Sequence, residues 1–354
     1  MSCAASLPMV EPPFANHHEN AMNPSPPLKV GLIGVGKMGR NHLRVLSYMK
    51  PVQVVFIHDR NRETEIRLAE EFGTRPSTNL ENDLAGVDAV VLATPTSTHL
   101  EYIELASRFV SNMFVEKPLT DSLDTTRAAA ELARKKNLRL QVGFIERFNP
   151  VVTELVKIVG RSTDVVNMDL TRTDKVPDRN LDVDVVLDLM VHDLDLALHL
   201  RGPVERIQAF GHTQQGLTAL AHAVLVHSNG TISRIMASKI TEKRIRQIAV
   251  TCPEMYVEAD LLQKELVLHR KTVAQRYADL SLASVREAVF VPHEEALLAQ
   301  LLAFAGYCQG RDCAGPASVP TVEAAVASME LAALIRESIV QNATAPVSYQ
   351  PIGF

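Results

Sequence analysis

Several protein classes are excluded by what this sequence lacks. It has four cysteines, Cys3, Cys252, Cys308 and Cys313, with no CxxC pair among them. A disulfide framework is therefore not expected, and thiols in a reducing, cytoplasmic compartment are the simplest reading. No apolar run approaches the roughly 18 residues that span a bilayer, so no membrane segment is expected. There is no basic excess: 36 Lys and Arg stand against 41 Asp and Glu, a net charge of −5, which argues against a nucleic-acid partner. No Lys or Arg precedes Lys29, so the N-terminus does not carry the basic region of a secretory signal. No internal repeat is evident.

The chain has 354 residues, 46% apolar and 22% charged, which suits a soluble protein of two domains. Residues 1–27 are rich in Pro, Asn and Ala without sustained periodicity and read as a disordered tail. His17 and His18 in that tail read as solvated residues, loose metal binding being the alternative. From Leu28 to Pro150 strand-like and helical runs alternate: LKVGLIGVG, MGRNHLRVLSYM, VQVVFIHD, NRETEIRLAEEFG, VDAVVLATP, HLEYIELASRF, NMFVEKP, SLDTTRAAAELARKK, LRLQVGF. Near-continuous apolar strands separated by helices predict a parallel sheet covered on both faces, an α/β doubly wound Rossmann domain over 28–150.

The rhythm then changes. TDVVNMDLTRT, VERIQAFGHT, AHAVLVHSNGTISRIMASKI, RQIAVTCPEMYVEAD and KELVLHRK are strand-like and mostly contiguous, and Asn229-Gly230 signals a hairpin. Helical spacing returns in HEEALLAQLLAFAGYC and TVEAAVASMELAALIRESIV. Residues 151–354 are thus expected to form an α+β domain with a mostly antiparallel sheet, its last helix a candidate to pack back on the first domain.

Gly34-Val35-Gly36-Lys37-Met38-Gly39 matches GxGxxG between an apolar strand and a helical pattern. In that context Gly34 makes the tight turn, Gly36 lets backbone approach a pyrophosphate, Gly39 lets helix and strand pack, and the helix N-terminus faces the phosphates. Asp59 ends the second strand about twenty residues on, where an acid hydrogen-bonds a ribose 2′-OH. Its charge favours NAD over NADP; Arg60, immediately after, can soften that choice. The alternative is a glycine turn that serves packing alone.

Glu116-Lys117-Pro118 follows an apolar strand, and ligands in open α/β sheets sit beyond the carboxyl ends of strands. Lys117 is a candidate to stabilise a substrate alkoxide, or an ordinary solvated lysine. Thr94-Pro95 and His99 are candidates to line the crevice near a nicotinamide, or parts of a turn in which Thr96 or Ser97 caps the next helix.

The helical stretch DLMVHDLDLALHL, 188–200, is acidic in apolar company. Asp188, His192, Asp195 and His199 fall on one polar stripe; Leu187, Met190, Val191, Leu194 and Leu198 fall on an apolar one. Asp193 lies off the polar stripe, with a structural hydrogen bond its expected task. Asp188 and His192, one turn apart, can share a crevice. A neutral imidazole is a competent base near neutral pH, and a nearby Lys117 ammonium would keep it neutral. Two alternatives stand beside this: buried, satisfied polar groups, or a metal held by the pair, though no further ligand cluster at suitable spacing is evident.

GLIGVGKMGRNHL (31–43), ATPTSTH (93–99), VEKPL (115–119), GFIERFNP (143–150) and the 188–200 stretch together resemble the Gfo/Idh/MocA family of nicotinamide-dependent sugar and polyol oxidoreductases. The resemblance runs from Leu28 to the end and omits the tail. It implies a Rossmann domain followed by an α+β domain with a large open sheet, one face of which makes a homo-oligomer. It implies a cofactor site including Lys37, Met38, Glu116 and Lys117, with Lys117, Asp188 and His192 as the catalytic set and His192 as acid/base. GFIERFNP with VVLDLMVHDLDL is similar to the branch that oxidises C3 of UDP-N-acetylglucosamine, whose 3-keto product passes to an aminotransferase on the way to lipid A. That branch makes Arg147 and Asn149 candidate substrate contacts, an inter-domain ion pair being the alternative for Arg147. An inositol-type dehydrogenase and a non-catalytic NAD-binding regulator are the competing functions; retention of Lys117, Asp188 and His192 counts against the latter.

Overall fold

A computed structural model of the chain describes residues 26–160, 164–174, 183–277, 280–311 and 318–344. The expected tail up to residue 25, with Cys3, His17 and His18, lies outside them, as does Cys313. Six strands, β1 (Leu28–Ile33), β2 (Val52–His58), β3 (Arg75–Pro76), β4 (Ala89–Leu92), β5 (Asn112–Val115) and β6 (Arg139–Val142), form one sheet in the order β3-β2-β1-β4-β5-β6. Every pairing in it is parallel. This is the doubly wound order of dinucleotide-binding domains. Helices α1 (Lys37–Tyr48), α2 (Arg62–Glu71), α3 (Leu80–Leu84), α4 (His99–Ala106) and α5 (Leu123–Lys135) cover its faces. Local chemistry sets their ends. The Asn61 side chain accepts the Thr64 N–H to start α2, and Gly73, at φ +65°, follows its end. Ser122 and Thr125 form a reciprocal cap on α5.

The second layer begins with α6 (Pro150–Val159), capped by the Asn149 side chain on the Val151 N–H with Pro150 at its first position. The apolar pattern of PVVTELVKIV did not announce this helix; its Asn-Pro start was the usable signal. Strands β7 (Asn167–Thr173), β8 (Val204–Gln214), β9 (Leu217–His227), β10 (Ile232–Ser238), β11 (Ile245–Cys252), β12 (Met255–Asp260), β13 (Glu265–Tyr277) and β14 (Leu280–Ala288) make an eight-stranded sheet ordered β14-β13-β12-β11-β7-β10-β9-β8. Only β7 and β10 pair in parallel; the other pairings are antiparallel. The expected hairpin closes at Gly230, φ +83°. Strand β14 was not expected, because LSLASVREA carries too few large apolar residues to stand out.

One face of this sheet is buried: Leu170, Ala221, Ala223, Leu225, Ile235, Val250 and Val257 pack with α6 and with α7 (Val191–Arg201). Phe210, Val224, Ile232 and Tyr256, each over a third exposed, share the other face by their register. The last helices, α8 (Ala296–Cys308) and α9 (Val322–Thr344), return to the first sheet. Leu297, Leu301 and Phe304 of α8 enter the core with Leu43, Leu46 and Phe114. Val322 and Ala325 of α9 join Ala129 and Ala133 of α5, while its Leu331, Ile335 and Ile339 join the core of the second sheet. Helix α9 therefore ties the two layers together. Cys252 and Cys308 are buried thiols. Among the described residues, no helix is long and apolar enough to cross a membrane.

Candidate active site

The carboxyl ends of β1, β4, β5 and β6 open on two connected spaces. The first is a groove of about 430 Å³ lined by Gly34, Gly36, Lys37, Met38, Asp59, Arg60, Thr94 and Pro95. Gly34 adopts φ +91°, and a side chain there would strike the Ala93 backbone. A Cβ on Gly39 would collide with the Gly34 carbonyl oxygen, whereas one on Gly36 would meet no protein atom and project into open space. This is the cradle that a pyrophosphate needs. The Asp59 carboxylate is fixed at the rim: its two oxygens accept the N–H groups of Val35 and Asn61, each at 2.8 Å. Each oxygen keeps a second lone pair for a ribose hydroxyl. Arg60 is exposed beside it. The residues present thus fit an NAD-type cofactor.

The second space is a cavity of about 880 Å³ that shares Met38, Ala93 and Thr94 with the groove and is also lined by Glu116, Lys117, Glu146, Asn149, Asp188, His192 and Arg246. Lys117 stands two residues past β5, and its bond to Pro118 is cis. Its Nζ donates to the Asp188 carbonyl oxygen at 3.0 Å and lies 3.8 Å from Asp188 Oδ1. Burial pulls the Lys117 ammonium below the ordinary lysine range, against Asp188 and Glu116, which favour the charge. His192 is held well below its ordinary value by burial, reinforced by Lys117, Arg172 and Arg246. It is a neutral imidazole near pH 7. Its Nδ1 is sealed and has no hydrogen-bond partner among the described residues.

Two expectations about the helix change. Asp188 does not lie on the same α-helix as His192: residues Val186–Met190 form a π-turn that leads into α7. A π-turn closes i→i+5 and inserts one residue, so Leu187, expected on the apolar stripe, lines the cavity with Asp188. The single polar stripe also divides. Asp195 and His199 do not line the cavity. Asp195 instead accepts both Nε and Nη2 of Arg147, at 2.7 and 2.5 Å, in a buried pair. Arg147 is accordingly an internal tie between α7 and the linker that joins β6 to α6, residues 143–149, and not a residue of the cavity wall.

His99 also leaves the site. It is buried, with Nδ1 facing the carbonyl oxygens of Pro118 and Leu119 and Nε2 facing that of Thr94. It bolts the turn after β4 to the turn after β5. Thr96–Thr98 form a 3₁₀ turn, and neither Thr96 nor Ser97 caps α4 with its side chain. Asn149 does border the cavity while capping α6, and its Oδ1 accepts Lys264 Nζ at 3.1 Å.

Sequence reasoning missed three partners. Lys239, its side chain 1% exposed, donates to Asp188 Oδ2 at 2.8 Å and to the Val183 carbonyl oxygen at 2.7 Å. Its signal was a lysine closing an apolar strand, the same cue that singled out Lys117. His42, fully buried on α1, lies 2.6 Å through Nε2 from Glu116 Oε1. Arg172 falls at the inward parity of β7 with Met168 and Leu170, where a charge demands a partner. No group of three or more potential metal ligands occurs among the described residues.

Comparison with known proteins agrees with this geometry. Residues 28–144 match the profile of an oxidoreductase family with an NAD-binding Rossmann fold, and residues 154–257 match the GFO/IDH/MocA C-terminal domain. UDP-N-acetylglucosamine 3-dehydrogenase of Acidithiobacillus ferrooxidans is 31% identical over 69% of this chain and 77% of its own length. A crystal structure of that enzyme superposes with a TM-score of 0.78, at 27% identity, over 88% of this chain and 98% of the other. The scyllo-inositol 2-dehydrogenase (NAD(+)) of Bacillus subtilis is 29% identical over 52% of this chain and 57% of its own. With both domain profiles matched in order and the EKP lysine facing His192 across one cavity, the chain belongs to the Gfo/Idh/MocA family of oxidoreductases.

Proposed function

We propose that the protein is a cytoplasmic NAD-dependent dehydrogenase that oxidises a hydroxyl of a nucleotide sugar, C3 of UDP-N-acetylglucosamine. The observation that carries this reading is the convergence of Lys117, Asp188 and His192 on a cavity continuous with the glycine-lined groove. Bound nicotinamide supplies the hydride acceptor. His192, neutral, takes the proton of the reacting hydroxyl. The Lys117 ammonium stabilises negative charge growing on that oxygen. Asp188, clamped by Lys239, accepts from a neighbouring hydroxyl and orients the ring. Asp59 at the ribose end favours NAD over NADP.

Two things support the substrate. The relative matched over most of its length is named for this reaction. The cavity, about 880 Å³, is near the top of the range for small-molecule sites, about 300–1,000 Å³, and has room beyond one six-membered ring. The 3-keto product would pass to an aminotransferase, and the 3-amino sugar would serve lipid A. An inositol-type substrate is the second reading, supported by inositol dehydrogenases among the relatives. The uncovered apolar positions of the eight-stranded sheet support a homo-oligomer.

The test is nicotinamide reduction followed by absorbance, with NAD or NADP and with UDP-N-acetylglucosamine or an inositol, the keto product being removed by a coupled aminotransferase. Reduction with NAD and the nucleotide sugar supports the proposal. Reduction with inositol alone transfers the same residues to the second reading.

A further inference from the structure

We propose that Arg172 is a positioning residue of the site: from strand β7 it grips Asp193, and through it the adjoining His192, against Glu146 at the exit of the parallel sheet. The inference rests on the reading of His192 as the base. Among the described residues, nothing hydrogen-bonds His192 Nδ1, and the Asp188 carboxylate is engaged by Lys239. The ring is therefore not oriented by a carboxylate behind it, and its direction must come from the backbone of α7. That backbone is held at two points close to His192. Arg172 donates through Nε and Nη2 to the two oxygens of Asp193, at 2.8 and 2.9 Å, and through Nη1 to Glu146 Oε1 at 2.7 Å. The next linker residue, Arg147, holds Asp195 in the same two-pronged manner. Glu146, through Arg172, and Arg147 directly thus fasten α7 at Asp193 and Asp195, on either side of Leu194, and the cavity-facing histidine precedes the first of these anchors.

Three elements meet at this guanidinium: β7, α7 and the linker. Its side chain is 1% exposed. Burial opposes its charge, but Asp193 and Glu146 outweigh burial and raise it above its ordinary value. A planar fork is required, because one end serves Asp193 while the remaining N–H serves Glu146; a lysine offers no such geometry. The charges facing His192 are Lys117 from the end of β5, Arg172 from β7 and Arg246 from β11, all opposing protonation. The acidic groups nearby are Glu146 before α6, Asp193 beside His192, Asp188 of the π-turn and Glu116 past the end of β5.

The test needs no substrate. Ring-¹⁵N-histidine protein is titrated by NMR, with the His192 signal identified by its loss in His192→Gln. In Arg172→Gln, which keeps a donor for Asp193 but no charge, the proton affinity of His192 should rise about tenfold, one pH unit. Arg172→Lys should leave the midpoint close to wild type. In parallel, both variants should bind NAD normally and, with whichever sugar the wild type oxidises, lose kcat at least about tenfold with little change in KM. A folded Arg172→Gln whose His192 midpoint matches wild type overturns the proposal, whatever turnover does. Should the arginine variants fail to fold, Asp193→Asn keeps the shape and leaves Arg172 less compensated. The His192 midpoint should then move down, and an unmoved midpoint overturns the proposal equally. A wild type that oxidises no sugar, with the midpoint shifts intact, rejects the proposed reaction and not the role of Arg172.

Discussion

Lys239 Nζ lies 2.8 Å from Asp188 Oδ2, yet the two side chains are unequally buried, 1% against 37% exposed. The inequality predicts unequal consequences. Lys239→Met leaves a carboxylate that water can reach, so the loss of stability should be small; the loose Asp188 then closes on Lys117, and turnover should fall about a hundredfold, within the range of a positioned proton-transfer group. Asp188→Ala strands a buried ammonium, with the Val183 carbonyl its remaining acceptor among the described residues. It should cost about 3 kcal/mol in urea unfolding, the penalty for uncompensated buried charge. Equal stabilities of the two variants would contradict the assignment.

His192 predicts a pH dependence in both activity and stability. Its folded value lies well below the ordinary 6.5 because of burial and the Lys117, Arg172 and Arg246 charges. A depressed value means that the unfolded chain binds the proton more tightly. The contribution to stability is complete above about pH 6.5 and is lost as pH falls through the folded value. His192→Gln should therefore flatten the fall of Tm on the acid side of pH 6.5 and leave Tm above pH 7 nearly unchanged. The acid limb of kcat/KM in the wild type should lie below pH 6.5. A limb at or above 6.5 would show an imidazole that is not under these charges.

Lys117 carries the opposite lesson about a useful charge. Burial lowers its affinity for the proton, so its stabilising contribution is complete above the ordinary value of about 10.5 and is lost progressively as pH falls from there through the folded one. At neutral pH the ammonium works against folding. Lys117→Met should raise Tm by a few degrees at pH 7 while turnover disappears, the trade-off expected of a site built for function. A lower Tm would mean that its contact with the Asp188 carbonyl outweighs burial.

Much of this was legible in the chain. The alternation of apolar runs with helical spacing gives five of the six parallel strands, because buried parallel strands are near-continuously apolar and short; β3, only Arg75–Pro76, has no apolar run to mark it. Gly34, Gly36, Asp59 and Lys117 were legible because each stands at or just past the end of a strand, where a ligand space must begin; Gly39 was legible as the close of GxGxxG, and His192 as an imidazole in apolar helical company one turn from Asp188. The partners were less legible. Arg147 and Asp195 are 48 positions apart, Arg172 and Glu146 are 26 apart, and only the packing of two sheets decides which buried charge meets which. The π-turn at Val186–Met190 was hidden because its residues suit an α-helix equally well. Helix α6 and strand β14 were missed where β-branched residues in one, and small residues in the other, blur the period.

The uncovered face of the eight-stranded sheet makes a prediction about assembly. Phe210, Val224, Ile232 and Tyr256 are exposed on it, and an apolar face of this kind is a liability for a monomer. Light scattering after gel filtration should give a multiple of the chain mass, and Val224→Glu combined with Ile232→Lys should reduce it. A wild type that elutes as a monomer removes the homo-oligomer from the proposal.

The glycine loop separates cofactor binding from folding within a single motif. A Cβ on Gly39 would strike the Gly34 carbonyl, so helix α1 would have to move away from β1. Gly39→Ala should thus unfold the domain or lower its Tm sharply, with cofactor binding lost as a consequence. A Cβ on Gly36 meets nothing in the protein, so Gly36→Val should leave Tm in the absence of cofactor within about a degree or two, the usual scale for a substitution without steric conflict. The valine would fill the space where the pyrophosphate must approach backbone N–H groups. Isothermal titration with NAD should then show affinity reduced by at least about a hundredfold, and the rise in Tm that NAD confers on the wild type should vanish. If Gly36→Val binds NAD as the wild type does, the dinucleotide does not lie across this turn, and the groove at Asp59 loses its claim to the ribose.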